Sequence, residues 1–197
     1  MRTVNSIVGA AYPLGRNNVD TDIILPGRFL KTISREGLGG AAFEAIRAEP
    51  GNVFADRAYA GSPILVAGQN FGCGSSREHA VWAMLDMGIE AVIASSFSDI
   101  FAGNAFKNGL LTVVLAEEAL GVVMDCARVG EIGIDLSTQK VTLFTGEAFS
   151  FAIDPFRRHC LLNGLDEIGL SLGFEAEITA FERIQDNDRP WIARPFG

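Results

Sequence analysis

Ile64-Leu65-Val66-Ala67-Gly68-Gln69-Asn70-Phe71-Gly72-Cys73-Gly74-Ser75-Ser76-Arg77-Glu78-His79 places a short continuous apolar run directly before a glycine-rich turn and a helix start. A buried strand that stops at such a turn and restarts as a helix leaves unpaired N–H groups there. The helix dipole adds partial positive charge at the same point, which makes a ready anion site. Ser75 and Ser76 bring hydroxyls to it, one of them a candidate base, and Arg77 brings a guanidinium suited to clamping a carboxylate. The spacing is neither the phosphate-binding G-x-x-x-x-G-K-[ST] nor the dinucleotide-binding G-x-G-x-x-G, because Arg77 stands where the third glycine would be. The same residues also have a purely structural reading: a tight turn at Gly72 and Gly74, a helix cap from Ser75 or Ser76, and a solvated Arg77. An arginine in a first turn opposes the helix dipole by about 0.3–1 kcal/mol, which makes Arg77 a poor structural choice. Both readings stay open on these residues alone.

Outward from this stretch the pattern is regular. Ile64–Ala67 reads as a strand, Ser76–Met87 as a helix, Glu90–Ala94 as a strand and Ser98–Asn108 as a helix. Leu111–Leu115 gives a further strand and Glu117–Ala127 a further helix. Continuous apolar strands alternating with amphipathic helices predict an α/β fold with a mostly parallel central sheet and flanking helices. Upstream, Val4 to Ala11 reads as one strand. A loop carrying Asn17-Asn18-Val19-Asp20-Thr21-Asp22 follows, and then the apolar run Ile23-Ile24-Leu25 that Pro26 ends. Glycines at 37, 39 and 40 weaken any helix there, leaving Ala41 to Ala48 as the better helical window.

Beyond Gly130 the period changes to two. Ile132, Ile134 and Leu136 alternate with polar or small residues, as do Val141 and Leu143, with Ser137 to Gln139 as the turn of an antiparallel hairpin. Phe149, Phe151 and Ile153 give another strand, and Pro155 opens a helix carrying Phe156, Cys160 and Leu161 on one face. The expected organisation is one domain over residues 1–185 and a loose tail over residues 186–197, where Pro190 and Pro195 stand.

At 197 residues and 48% hydrophobic content the chain can bury one sizeable core. Sixteen basic against 24 acidic side chains give a net charge of −8, which argues against nucleic acid and anionic membrane surfaces as partners. The first residues lack the apolar core of a signal peptide, and no apolar stretch approaches bilayer length, so a cytoplasmic location is expected. Three cysteines fit a reducing compartment better than a disulfide scaffold, and two distant histidines offer little for a histidine-based metal site.

Several motifs in order resemble one family. Asn70 to Ala80 is similar to the signature of the mobile, swivelling domain of aconitase-type hydro-lyases, a β/β/α fold. Ser95-Ser96-Phe97-Ser98-Asp99-Ile100-Phe101, with Asn104 and Lys107-Asn108-Gly109-Leu110-Leu111, is similar to its next part. Asn17 to Pro26 and Arg28-Phe29-Leu30-Lys31-Thr32 resemble its first active-site loop. Asp154 to Leu170 resembles one subgroup, the small subunits of bacterial 3-isopropylmalate dehydratase. The resemblance runs from about residue 4 to residue 183. Thr112, where the family often has proline, and a short segment between residues 48 and 62 depart from it without touching the chemistry.

The resemblance implies a hydro-lyase that interconverts 2-isopropylmalate and 3-isopropylmalate by removing and re-adding water, a step of leucine biosynthesis. Homoaconitate, methylmalate or a related diacid is the substrate of the nearest sister enzymes, and a dicarboxylate-binding module without catalysis is the alternative from another class. By position in the motif Ser75 matches the family's base and Arg77 its carboxylate clamp. Ser76 would share the hydroxyl role or cap the helix. Arg28 or Lys31 would hold the second carboxylate, and Phe29 or Leu30 would read the alkyl group or anchor the loop to the core. Asp20 and Asp22 would order the loop through backbone N–H contacts. Glu78 and His79 are consecutive on a helix, point apart and are read as structural, and no role is given to His159. A four-iron cluster is commonly held with a close Cys-x-x-Cys pair, whereas Cys73, Cys126 and Cys160 are 53 and 34 residues apart. Family pattern and spacing both imply no cofactor on this chain, with the 4Fe-4S cluster on a separate large subunit, without which this chain is inactive.

Overall fold

The computed structural model describes residues 1–31, 33–75, 77–189 and 191. The chain divides into two compact units, Met1–Gly164 and Leu165–Gly197. In the first, the strands are β1 (Ser6–Gly9), β2 (Ala11–Pro13), β3 (Ile64–Val66), β4 (Ala91–Ala94), β5 (Leu111–Val114), β6 (Ile132–Asp135), β7 (Lys140–Leu143) and β8 (Ala148–Ser150). Its helices are α1 (Thr21–Ile24), α2 (Glu44–Arg47), α3 (Glu78–Asp86), α4 (Asp99–Asn108), α5 (Glu117–Ala127) and α6 (Pro155–Asn163).

Strands β2-β3-β4-β5 form a parallel sheet in that order, and β1-β6-β7-β8 form an antiparallel one. The expected parallel sheet and the hairpin β6–β7 are both present, with Ile134 opposite Val141. The antiparallel part is larger than a hairpin because the expected strand Val4–Ala11 is two strands. Ser6–Gly9 pairs with β6, then Ala11–Pro13 pairs with β3 in the other sheet. The small residues Gly9-Ala10-Ala11 make this crossing, and a Cβ on Gly9 would come within 3.0 Å of Pro63 Cδ.

Side-chain alternation across the parallel sheet builds two cores. Ile64, Val66, Ile93 and Val113 face the antiparallel sheet, where Ile7, Ile134, Val141 and Leu143 meet them together with Leu120 and Val123 of α5. Leu65, Ala67, Val92 and Ala94 face the other way, onto Val81 and Met84 of α3 and Phe101 and Ala105 of α4. The layers are therefore sheet, sheet and helices. The expected helical window Ala41–Ala48 shortens to one turn, α2, preceded by a 3₁₀ turn at Gly39–Ala41.

The second unit holds α7 (Glu167–Leu172) and α8 (Glu175–Asp188). Asp166 caps α7, accepting from Gly169 N at 2.8 Å, and this bond holds its carboxyl below the usual range. Helix α8 runs through Asp186 to Asp188, into the stretch expected to be loose. Residue 190 and residues 192–197 of that stretch lie outside the described residues. Among the described residues no helix is long and apolar enough to cross a membrane.

Candidate active site

The glycine-rich turn leaves the carboxyl end of β3, where ligands of parallel α/β sheets bind. Two loops some 50 residues apart run side by side there. Asn18 N donates to Gln69 O at 2.8 Å, Gly72 N to Val19 O at 2.8 Å, and Thr21 N to Cys73 O at 3.0 Å. Side chains add to the seam: Gln69 N donates to Asn17 Oδ1 and Asn70 Nδ2 to Asn18 Oδ1, each at 2.8 Å. A second seam ties the turn to the segment after β4, with Phe71 N donating to Ser96 O and Ser98 N to Phe71 O, both at 3.0 Å.

This clamping explains the glycines. Gly72 has φ +73°, and a Cβ there would lie 2.2 Å from Phe101 Cγ. Phe101 in turn packs edge-on against the fully buried Phe71, with ring centroids 5.3 Å apart. Gly74 has φ +92°, which frees the chain to turn toward Ser75.

Two candidates from the turn are brought against the first loop. Ser75 Oγ lies 3.2 Å from Thr21 Oγ1, and Thr21 Oγ1 also donates to Ser75 O at 3.2 Å. Arg77 Nη1 forms an ion pair with Asp22 Oδ1. Arg77 occupies the N-cap position of α3 and makes no capping bond with its side chain, so the helix begins one residue later than a cap from Ser76 requires and two later than one from Ser75. Ser76 itself lies outside the described residues. Asp20 orders the loop through the backbone, accepting from Ile23 N at 2.7 Å as cap of α1. Asp22 orders it by a different route, through its side-chain pair with Arg77.

The loop after Pro26 divides its residues. Phe29 and Leu30 pack against the core beneath. Arg28 pairs with Glu44 of α2 and lies over the Phe29 ring, 4.7 Å from its centroid. Lys31 is exposed and makes no ion pair among the described residues; Thr32 lies outside them. Glu78 accepts from Asn108 Nδ2 at 2.7 Å, Asn108 Oδ1 accepts from Trp82 Nε1 at 3.0 Å, and the His79 ring packs tilted against that of Trp82 with centroids 4.5 Å apart. The bonds of Glu78 and Trp82 to Asn108 tie α3 to α4. Thr21 is the site residue that sequence reasoning passed over. It stands between two acidic residues in the quoted loop, but nothing in the sequence places it against Ser75.

Among the described residues no group of three or more His, Cys, Asp or Glu side chains is placed to hold a metal ion. Cys73 lies in the turn, Cys126 on α5 and Cys160 on α6, and all three are free thiols. The residues present therefore do not make a cluster site within this chain's described part.

Residues 1–118 match the family model described as the aconitase C-terminal domain. The 3-isopropylmalate dehydratase small subunit of Novosphingobium aromaticivorans is 58% identical, over 98% of this chain and 96% of the relative. That of Zymomonas mobilis is 56% identical, over 98% of this chain and all of the relative. The crystal structure of 3-isopropylmalate dehydratase from Methanocaldococcus jannaschii superposes with a TM-score of 0.68 at 29% identity, covering 90% of this chain and 99% of that one.

Proposed function

The chain belongs to the aconitase C-terminal domain family, among the small subunits of 3-isopropylmalate dehydratase, and from that premise we propose that it supplies the base and the carboxylate clamp of a two-subunit hydro-lyase acting on isopropylmalate. The observation that carries this reading is the seam between the two loops. It sets Ser75 against Thr21 and Arg77 against Asp22 beyond the carboxyl end of a parallel strand, after a turn packed at Gly72 against Phe101.

Ser75 Oγ takes the proton from the substrate carbon next to the one bearing the hydroxyl. Arg77 grips a carboxylate; Asp22 engages its Nη1, which leaves Nε and Nη2 without a bond among the described residues. Lys31 is the better holder of a second carboxylate, since Arg28 is engaged by Glu44. Rehydration reverses the proton step, with Ser75 returning the proton to the alkene after it is presented for addition at the other carbon. Lewis-acid chemistry for the leaving hydroxyl is what a four-iron cluster on the large subunit supplies when bound. The net charge of −8 suits a small diacid drawn to a local basic site better than a nucleic acid, and three free cysteines suit a cytoplasmic enzyme.

The test is dehydration of 3-isopropylmalate, followed by absorbance of the alkene under anaerobic conditions. The chain is assayed alone and with a cluster-loaded large subunit, beside Ser75→Ala. Activity in the mixture only, lost in Ser75→Ala, is the expected result. Activity that survives Ser75→Ala removes Ser75 as base, and a silent mixture with an intact cluster redirects the search to other branched malates.

A further inference from the structure

We infer that Thr21 is the positioning residue for Ser75, aiming its oxygen and supplying the hydrogen bond that stabilises it when ionised. The inference rests on the function proposed above. Thr21 is one of two fully buried polar side chains among the described residues, at 2% exposure. A buried hydroxyl has to find partners, and both of those found here belong to Ser75: its carbonyl oxygen and its Oγ, each at 3.2 Å.

Thr21 has one hydroxyl proton and two acceptors within 3.2 Å, Ser75 O and Ser75 Oγ; with that proton on Ser75 O, the neutral pair is completed by Ser75 donating to Thr21 Oγ1. That bond points the Ser75 proton into the protein and its lone pairs outward. When Ser75 is an alkoxide the same Thr21 proton swings from the carbonyl to Oγ, a rotation about one bond. The charge then gains a charge-assisted donor without any movement of the backbone. The Ser75 proton is lost to solvent before substrate binds. The alkoxide then takes the proton of the substrate C–H, the C–H electron pair becomes the second bond of the alkene, and the hydroxyl leaves with the C–O bonding pair as hydroxide, for a net loss of one water from the substrate. Ser75 ends as the hydroxyl, returned to its bond with Thr21. The backbone around Thr21 is held at the same time, since Thr21 N donates to Cys73 O at 3.0 Å and Leu25 N to Thr21 O at 2.9 Å. The hydroxyl is thus fixed relative to the turn that carries Ser75.

The experiment uses Thr21→Val, Thr21→Ala and Thr21→Ser in the complex with the cluster-loaded large subunit. Alongside it runs a double-mutant cycle with Ser75→Ala on the denaturant unfolding of the chain. The expected outcome is a fall in kcat of about 10- to 100-fold at unchanged KM for Thr21→Val, the loss of one hydrogen bond to a charged group. Thr21→Ser restores most of it. The acid limb of the pH–rate profile moves to higher pH in Thr21→Val, because a base without its donor holds its proton more tightly. The unfolding midpoints of Thr21→Val and Ser75→Ala are non-additive. A merely structural Thr21 would lower the midpoint and leave the pH profile in place, which overturns the inference, as does full kcat in Thr21→Val or Thr21→Ala. Additive unfolding midpoints overturn the contact itself. A silent wild-type complex overturns the proposed function and this role with it, while the cycle still decides whether the two hydroxyls are bonded.

Discussion

Asp22 and Arg77 meet in an ion pair across 55 residues of sequence, the acid on the first loop and the guanidinium at the head of α3. The Arg77 side chain is 23% exposed and that of Asp22 59% exposed, so solvent screens the pair and its contribution to folding is at most about 1 kcal/mol. Its use is directional. An arginine at a helix N-terminus is repelled by the dipole, and the carboxylate holds it beside Gly27, whose added Cβ would lie 3.9 Å from Nη1. Asp22→Asn is therefore expected to shift the melting temperature by no more than about 2–4 °C. Arg77→Lys, which keeps the charge and loses the fork, is expected to reduce kcat/KM by about 10- to 100-fold. Calorimetry on the chain and steady-state kinetics on the complex check the two halves. An equal loss of stability in both variants would refute the division.

Glycine positions separate turn geometry from packing. Gly72→Ala puts a methyl group 2.2 Å from Phe101 Cγ at φ +73°, so both the ring and the turn must move. A loss of about 2–4 kcal/mol in denaturant unfolding is expected, the range of overpacking combined with backbone strain. Gly103 on α4 has open space where its Cβ would be. Gly103→Ala is expected to stabilise by about 0.5–1 kcal/mol through helix propensity alone.

Much of the molecule is legible in the sequence where period and punctuation agree. Glu117–Ala127 and the hairpin about Ser137 to Gln139 come from apolar spacing with turn residues at the ends, and Pro155 opens α6 at the expected residue. The seams are not legible. Val4–Ala11 looks like one apolar strand, yet the chain leaves one sheet for the other after Gly9, where Pro63 packs too close for a side chain. Helix α7 is short and holds an internal glycine, whereas α8 carries Ile178, Phe181 and Ile184 at helical spacing, a period in plain view that the strand-and-turn reading of the chain passed over. At the site, Ser75 and Arg77 are readable because glycines flag the turn. Thr21 and the Asp22 pair are not, because they depend on one loop lying along another.

Cys160 gives a pH dependence on the alkaline side. It is fully buried on α6, and burial, with Asp154 as a lesser cause, pushes its thiol above the ordinary value. In the unfolded chain the thiol ionises near its usual value of about 8.5, whereas the folded chain still holds the proton. Stability from this group is present below that pH and is lost as pH rises from there through the folded value. Wild-type protein is expected to lose stability above about pH 8.5 more steeply than Cys160→Ala, when midpoints are measured across pH 7 to 10. Alkylation under native conditions gives a second reading: the half-buried Cys73 and Cys126 are expected to react before Cys160. Parallel pH curves for wild type and variant would exclude Cys160 as the source.

Arg28 and Lys31 stand on the same loop as rival holders of a second carboxylate, and their surroundings differ. Arg28 is neutralised by Glu44 and lies over Phe29, while Lys31 is exposed and makes no ion pair among the described residues. Phe29 and Leu30 between them are fixed to the core, so the two cations cannot exchange places without unpacking the loop. Lys31→Met is expected to raise KM for 3-isopropylmalate by about tenfold with kcat little changed, the mark of lost uniform binding to a charged group. Arg28→Met is expected to act on the loop instead, lowering stability by less than about 1 kcal/mol and leaving KM within about twofold. Kinetics at two ionic strengths sharpen the contrast, because a carboxylate held by exposed Lys31 weakens with added salt. A rise in KM in Arg28→Met with none in Lys31→Met would reverse the assignment and show that Glu44 releases Arg28 to the substrate.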